Sequence, residues 1–480
     1  MNALLICNVG TRDVLCADFP KANTTERQWA QEALARYDQL RAGFELPIIG
    51  KALHYLDQRQ IALTQVILIA SDQPAGMAER FRQSDTVHSA ALIARLLTDG
   101  LAPYPPIAPE RIVTWIIRDE HGRGGDPSDY DLTLRFCERM LAPLAQKYPG
   151  HTAFLQVSGG TPAMTTSLLI AGTEAFGGRT EVLSIPPQAA PVAINTGRRL
   201  LAAPLRATIR SNADTYAYAA AVKTFLEQEA IITDRLDPVA AKLIAPLLAY
   251  AHHRFNFDFA SARRALDKAG PAGPWQVEIN ELRAQVTDPD RVLRLAEVVH
   301  AAAARYEIGL YADFLVQVVR FEENLLRYLC LQRGAIFRNR QRAIDADGQY
   351  LAREWLQRQS FSLTRDRDPS RDLQADRSVL RELLEKLMAE RQERNRGLLA
   401  AIDQLGELIK RRNELTHQLE GVQKSGLARA FAGPSARSEE ADRIVAHLQS
   451  LYEQACGKAL PASPYQRING LLERLLRQPV

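Results

Sequence analysis

Residues 152–164 read TAFLQVSGGTPAM. Thr152 to Val157 is an apolar run of strand length. Ser158, Gly159, Gly160, Thr161 and Pro162 then turn the chain, and a helical pattern follows from Met164 to Phe176. Adjacent glycines let backbone approach a ligand closely. Thr161 suits an N-cap and Pro162 the first helical position. Free amides at such a helix start face an anion, although a tight turn with a good cap accounts for the same residues.

The same unit recurs on either side. Apolar runs occupy Ala3–Val9, Gln65–Ala70, Arg111–Ile117 and Glu181–Ile185, with helical patterns at Gln28–Arg41, Thr86–Leu97 and Tyr130–Lys147 between them. This alternation predicts an α/β, doubly wound, Rossmann-like domain over residues 1–200. Ligands of such sheets bind beyond the C-terminal strand ends, where strand order reverses. A second strand-end loop, Asn8-Val9-Gly10-Thr11-Arg12, follows the first strand. A third, His121-Gly122-Arg123-Gly124-Gly125-Asp126, reads as a mobile lid or a plain connection. The Ser158 loop is neither G-x-G-x-x-G nor G-x-x-x-x-G-K-[ST], so the common modes of dinucleotide and ATP binding are not indicated.

After about Arg199 the strand signals stop. Tyr216–Glu229, Val239–Tyr250, Phe259–Lys268 and Arg291–Arg305 are predicted as a helical linker over 201–305. From 306 to 480 a second all-α domain is expected, with helices at Leu310–Gln332, Gln349–Gln359, Arg377–Arg391, Gly397–Leu419, Glu439–Cys456 and Tyr465–Arg477. Arg365–Arg377 reads as a charged loop and Gly421–Arg437 as a mobile one. Within Gly397–Leu419, at about 100° per residue, Arg412 falls inside the apolar stripe. A guanidinium there is costly unless an anionic partner, a ligand or a second chain meets it. A salt-bridged core arginine beside a surface histidine is the plain alternative.

A chain of 480 residues exceeds one ordinary core. With 46% hydrophobic and 24% charged residues it has the composition of a soluble globular protein. A net charge of +4 carries no global polyanion-binding character. The five cysteines are scattered without metal-ligand spacing, which suits a reducing compartment. The N-terminus has no secretory pattern, and no apolar run approaches the roughly 18 residues of a membrane span. A cytoplasmic protein, with no membrane segment and no metal site, is expected.

The QVSGGTPAM context and the NVGTR that closes the first strand resemble a CARF domain, the CRISPR-associated Rossmann-like sensor. Arg412-Asn413-x-x-x-His417, set in a C-terminal helical region, resembles the R-[polar]-x-x-x-H motif of HEPN ribonucleases. In this order they resemble the CARF–HEPN ribonucleases of type III CRISPR systems. The resemblance implies a homodimer whose paired CARF domains bind a cyclic oligoadenylate of four or six units on a two-fold axis. Gly10 and Thr11 would line one side of the ring. Asn8 belongs to the same loop, and Arg12 is added for its charge and placement. Ser158, Gly159, Gly160 and Thr161 would offer amides and hydroxyls to the phosphates.

The resemblance also implies cleavage of single-stranded RNA without metal or other cofactor. The ribose 2′-oxygen attacks the adjacent phosphorus, leaving a 2′,3′-cyclic phosphate and a 5′-hydroxyl. His417 would move protons, Arg412 stabilise charge on the phosphate, and Asn413 orient one or the other. Five residues along a helix turn about 140°, so one chain's Arg412 and His417 do not face one spot, whereas two chains bring both pairs to a shared cleft. Degradation of the activator is a possible second activity. Two rivals stand beside this reading. A metal-dependent DNA nuclease would need an E-x-K element, which none of the ten lysines provides. A non-enzymatic sensor would use the helical part to dimerise or to bind partners. Arg338, Arg340 and Arg342 (FRNRQR) either guide the RNA backbone or form a solvated surface.

Overall fold

The computed structural model describes residues 2–22, 24–186, 189–194, 196–288, 290–366, 368, 370–393, 396–415 and 421–477, with backbone alone for 196, 198, 396 and 412–415. It divides into two compact units, Met1–Ala207 with Glu227–Asp234 and Thr208–Leu226 with Arg235–Val480.

In the first unit, β1 (Asn2–Asn8), β2 (Ala62–Ala70), β3 (Ile112–Ile116), β4 (Thr152–Gln156), β5 (Thr180–Ser184) and β6 (Val192–Ile194) form one sheet. Its order is β3-β2-β1-β4-β5-β6, all parallel except β6. Five of these strands lie where the apolar runs predict them. β6 was not expected, because three residues are too few to show a period.

β1 is buried on both faces, and its alternate side chains serve two cores. Leu5 and Cys7 pack with residues of α1 (Glu26–Ala35), α2 (Ile49–Gln58) and α3 (Val87–Asp99). Leu4 and Ile6 pack with those of α4 (Tyr130–Lys147) and α5 (Pro162–Phe176). Such fully buried aliphatic side chains each contribute about 1.5–3 kcal/mol. Helix α2 also escaped the sequence reading. No side chain caps its start, so the usual entry signal is missing.

The second unit is mostly helical. Helices α6 (Thr196–Asp214) and α7 (Tyr218–Ile232) each have residues in both units, and α8 (Pro238–Phe255), α9 (Phe259–Asp267), α10 (Gln276–Thr287) and α11 (Arg291–Glu307) follow in the second. Next come α12 (Tyr311–Gln332), α13 (Arg377–Glu390), α14 (Arg396–Asp403), α15 (Gly406–Leu415), α16 (Lys424–Ala432), α17 (Arg443–Cys456) and α18 (Pro464–Arg477). One core of the second unit runs from Leu295 to Tyr452.

Three expectations change here. Gln349–Gln359 is not a helix: Tyr350–Leu351 pairs with Phe337–Arg338 and Leu373–Gln374 in a three-stranded sheet, and only Arg353–Leu356 is helical. Ladder hydrogen bonds with segments distant in sequence override the local pattern there. Gly421–Arg437, expected as a mobile loop, contains α16, which buries Leu427 and Ala428. The run predicted as one helix from Gly397 breaks at Gln404–Leu405 into α14 and α15. Its apolar period is unbroken because Leu398, Ile402, Leu405, Leu408 and Ile409 all enter the same core.

A buried ion pair ties α8 to α11. Arg254 donates from Nε and Nη2 to the two oxygens of Glu297 at 2.9 and 2.6 Å, and from Nη1 to the Tyr250 hydroxyl at 2.5 Å. Both charged side chains are 5% exposed. Arg254→Met leaves Glu297 buried without its cation, which costs about 3–5 kcal/mol. Guanidinium unfolding midpoints of the two proteins measure it.

Candidate functional site

β1 and β4 are neighbours at the centre of the sheet, and strand order reverses between them. Their C-terminal ends release the Asn8 and Ser158 loops side by side. Beyond the strands lies a cavity of about 490 Å³. Gly10, Thr11 and Arg12 line it from one loop, and Ser158, Gly159 and Gly160 from the other. Two loops about 150 residues apart in sequence thus meet at the position where open α/β sheets bind ligands.

The glycines are required by close approach. A β-carbon on Gly159 would sit 2.3 Å from the Asn8 carbonyl oxygen, and one on Gly10 would sit 2.6 Å from the Gly160 nitrogen. Gly160 has φ of +81°, a conformation that side chains disfavour. Hydrogen bonds hold the second loop from behind. The Ser158 hydroxyl accepts from the Ile185 amide at 2.7 Å. With its amide group turned to suit its neighbours, the Gln156 side-chain oxygen accepts from the Ser158 and Gly159 amides at 3.1 and 3.2 Å. Thr161 caps α5 by accepting from the Met164 amide at 3.2 Å and donates to the Pro127 carbonyl. It shapes the loop from outside the cavity wall. Thr11 and Arg12 are exposed at the mouth, where the Lys21 ammonium holds the Thr11 carbonyl at 2.5 Å.

Two polar residues lie fully buried beside the glycines. Among the described residues, neither amide atom of Asn8 has a hydrogen-bond partner. Asp13, which the sequence reading passed over, accepts from the Gly10 amide at 2.6 Å through Oδ2, while Oδ1 has no partner among the described residues. Burial raises its pKa to about 7, against the lowering effects of the Gly10 hydrogen bond and Lys21. Asp13 is one residue past the loop, and its sequence context gives no sign of burial.

A raised folded-state pKa makes Asp13 a pH-dependent liability. Its effect is absent below the unfolded value near 4, grows as pH rises to about 7, and is constant above. Asp13→Asn is expected to leave the melting temperature at pH 4 nearly unchanged and to raise it at pH 8. Thermal melts across that range test this.

The third strand-end loop is a pinned turn. Asp119 accepts from the His121 and Arg123 amides at 2.9 and 2.8 Å, and Gly124 lies against the Asp72 carbonyl.

In the second unit, α15 packs on α12 and carries the backbones of Arg412 and Asn413, one turn after the buried Leu408 and Ile409. His417 lies outside the described residues, as do the side chains of Arg412 and Asn413. On the FRNRQR segment, Arg338 pairs with Glu354 at 3.1 Å. Arg340 and Arg342 are exposed in a turn that the Asn339 side chain closes on the Gln341 and Ala343 amides. All five cysteines are free and four are buried. Among the described residues, no helix is long and apolar enough to cross a membrane.

No protein-family model and no curated protein matches the sequence. In structure the chain is similar to Enterococcus italicus Csm6 bound to cyclic hexa-2′-fluoro-hexa-dAMP. The TM-score is 0.56 at 13% identity, over 99% of this chain and 100% of that one. The likeness is one of fold: a Rossmann-like domain followed by a mostly helical remainder.

Proposed function

We propose that this chain, built on the CARF–HEPN plan, is a cyclic-oligoadenylate-activated, metal-independent endoribonuclease for single-stranded RNA in type III CRISPR antiviral defence. One observation carries the reading: the glycine-lined cavity at the reversal of strand order, in a fold shared with a protein bound to a six-membered cyclic nucleotide. In this reading residues 1–200 sense the activator, 201–305 connect, and 306–480 cut.

Two chains pair about a two-fold axis, each presenting Gly10, Thr11, Arg12, Ser158, Gly159 and Gly160 to a ring with matching symmetry, while buried Asn8 and the Thr161 cap shape the loops behind them. Arg12, a cation at the cavity mouth beside Lys21, takes a phosphate. The Ser158 loop is held rigidly from behind by Gln156 and Ile185, so little conformational freedom is lost when a ligand docks. Arg412, Asn413 and His417 of the two chains share one cleft. There the 2′-oxygen attacks phosphorus, His417 transfers protons, and Arg412 offsets charge on the phosphoryl oxygens.

Labelled RNA incubated in EDTA, with cyclic tetra-adenylate or cyclic hexa-adenylate, tests the reading and its ring size. Cleavage that needs one ring, survives EDTA and leaves 2′,3′-cyclic phosphate ends supports it. Silence with every ring sinks it in favour of a non-enzymatic sensor. Following the ring itself in His417→Ala separates activator turnover at the cavity from turnover at the cleft.

A further inference from the structure

A second cavity lies within the helical unit, and among the described residues its lining takes nothing from the Asn8 and Ser158 loops. Its volume is about 390 Å³, within the roughly 300–1,000 Å³ of small-ligand sites. Phe257 and Phe259, on the turn between α8 and α9, form one wall with ring centroids 6.0 Å apart and edge to face. Phe257 adopts φ of +61°, a left-handed conformation that is a genuine outlier for a bulky residue.

Each ring carries a guanidinium. Arg294 lies 3.7 Å from the Phe259 centroid, and Arg320 lies 4.6 Å from that of Phe257. Arg291 completes the basic wall. Among the described lining residues these three cations face one carboxylate, Asp347, which pairs with Arg291 at 2.7 Å. The Val286 and Asp288 carbonyls accept from Arg294 at 2.9 Å each, so that side chain is fixed in place. Arg320 is exposed and reaches Gln317 at 3.4 Å. The lining thus carries three guanidinium groups to one carboxylate, with Glu297 and Asp288 acting on Arg294 from outside it.

Guanidinium planes backed by aromatic rings accept a stacked base on the face and a phosphate on the N–H edge. We infer that this cavity binds a nucleoside phosphate, with Arg291 and Arg320 on the phosphate and the base against Arg294. A free nucleotide and one residue of an RNA strand share this chemistry. Assigning the strand as the source rests on the ribonuclease reading; the recognition chemistry does not.

The test uses the full chain carrying His417→Ala, which spares the RNA. Binding of AMP, UMP and a labelled single-stranded RNA of about 12 nucleotides is followed by anisotropy and calorimetry. Arg320→Glu is expected to weaken RNA binding roughly tenfold, the loss of one charge-assisted contact. Arg320→Gln should lower the salt slope of log K by about 1 and serves if the glutamate variant folds poorly. Arg263→Glu, an exposed change elsewhere on α9, is the control. Mononucleotide binding lost in the same variants assigns the cavity to free nucleotides as well; RNA effects alone assign it to the strand. Unchanged RNA and mononucleotide binding in both Arg320 variants, or an equal loss in Arg263→Glu, overturns the inference. Because binding is read without cleavage, failure of the ribonuclease reading would show separately, as an inactive parent protein.

Discussion

His417→Ala is expected to lower activator-dependent RNA cleavage by about 10²–10⁴-fold, the usual contribution of a positioned proton-transfer group. The loss should fall on turnover, because an alanine leaves the phosphate-binding contacts of Arg412 in place. Arg412→Ala should cost a comparable factor through lost charge stabilisation. Single-turnover rates with saturating activator measure both. If each chain contributes half of a shared cleft, mixing His417→Ala and Arg412→Ala subunits should restore part of the activity. A mixed dimer of that kind brings one intact histidine and one intact arginine to the same cleft. An unchanged rate in His417→Ala would exclude the proposed chemistry.

Gly159→Val is expected to weaken activation strongly while leaving the helical unit folded. Even the β-carbon would lie 2.3 Å from the Asn8 carbonyl and 2.7 Å from the Asp13 carboxylate. Asn8 ends the central strand and Asp13 is fully buried, so neither moves cheaply. Overpacking of this kind costs about 1–3 kcal/mol. Spread through the loops that line the cavity, that corresponds to roughly a 10–100-fold loss of activator affinity. Gly150→Ala is the matched control, since a β-carbon there meets nothing within 4 Å. Titration of each protein with the cyclic ligand gives the comparison. Equal affinities would mean that the Ser158 loop does not contact the ring.

The parts of this molecule that were legible from sequence are those whose local pattern and tertiary role agree. Five strands of the large sheet are continuous apolar runs, and the helices Tyr130–Lys147 and Pro162–Phe176 have clear boundary residues. Thr161 and Pro162 cap α5 as their types predict. The Gln349–Gln359 segment failed because its pairing partners lie at Phe337–Arg338 and Leu373–Gln374. The break at Gln404–Leu405 was invisible because both halves bury the same apolar stripe in one core.

The candidate site divides along the same line. Glycines 159 and 160 were read from sequence as letting a ligand approach at a strand end, whereas the structure uses them and Gly10 to bring the two loops together. Sequence alone therefore determined the parallel α/β domain, its position before a helical remainder, and the two strand-end loops that line the cavity. Only the tertiary structure decided that these loops interlock over Asn8 and Asp13, because strand order places β1 and β4 together. It also decided which loop groups are spent internally: Gln156 and Ile185 engage Ser158, and Thr161 turns to Pro127. Side-chain type fixes what a residue is able to do. The partners that use up its hydrogen bonds, or deny it solvent, come from chain segments far away in sequence and exist only once the sheet has formed.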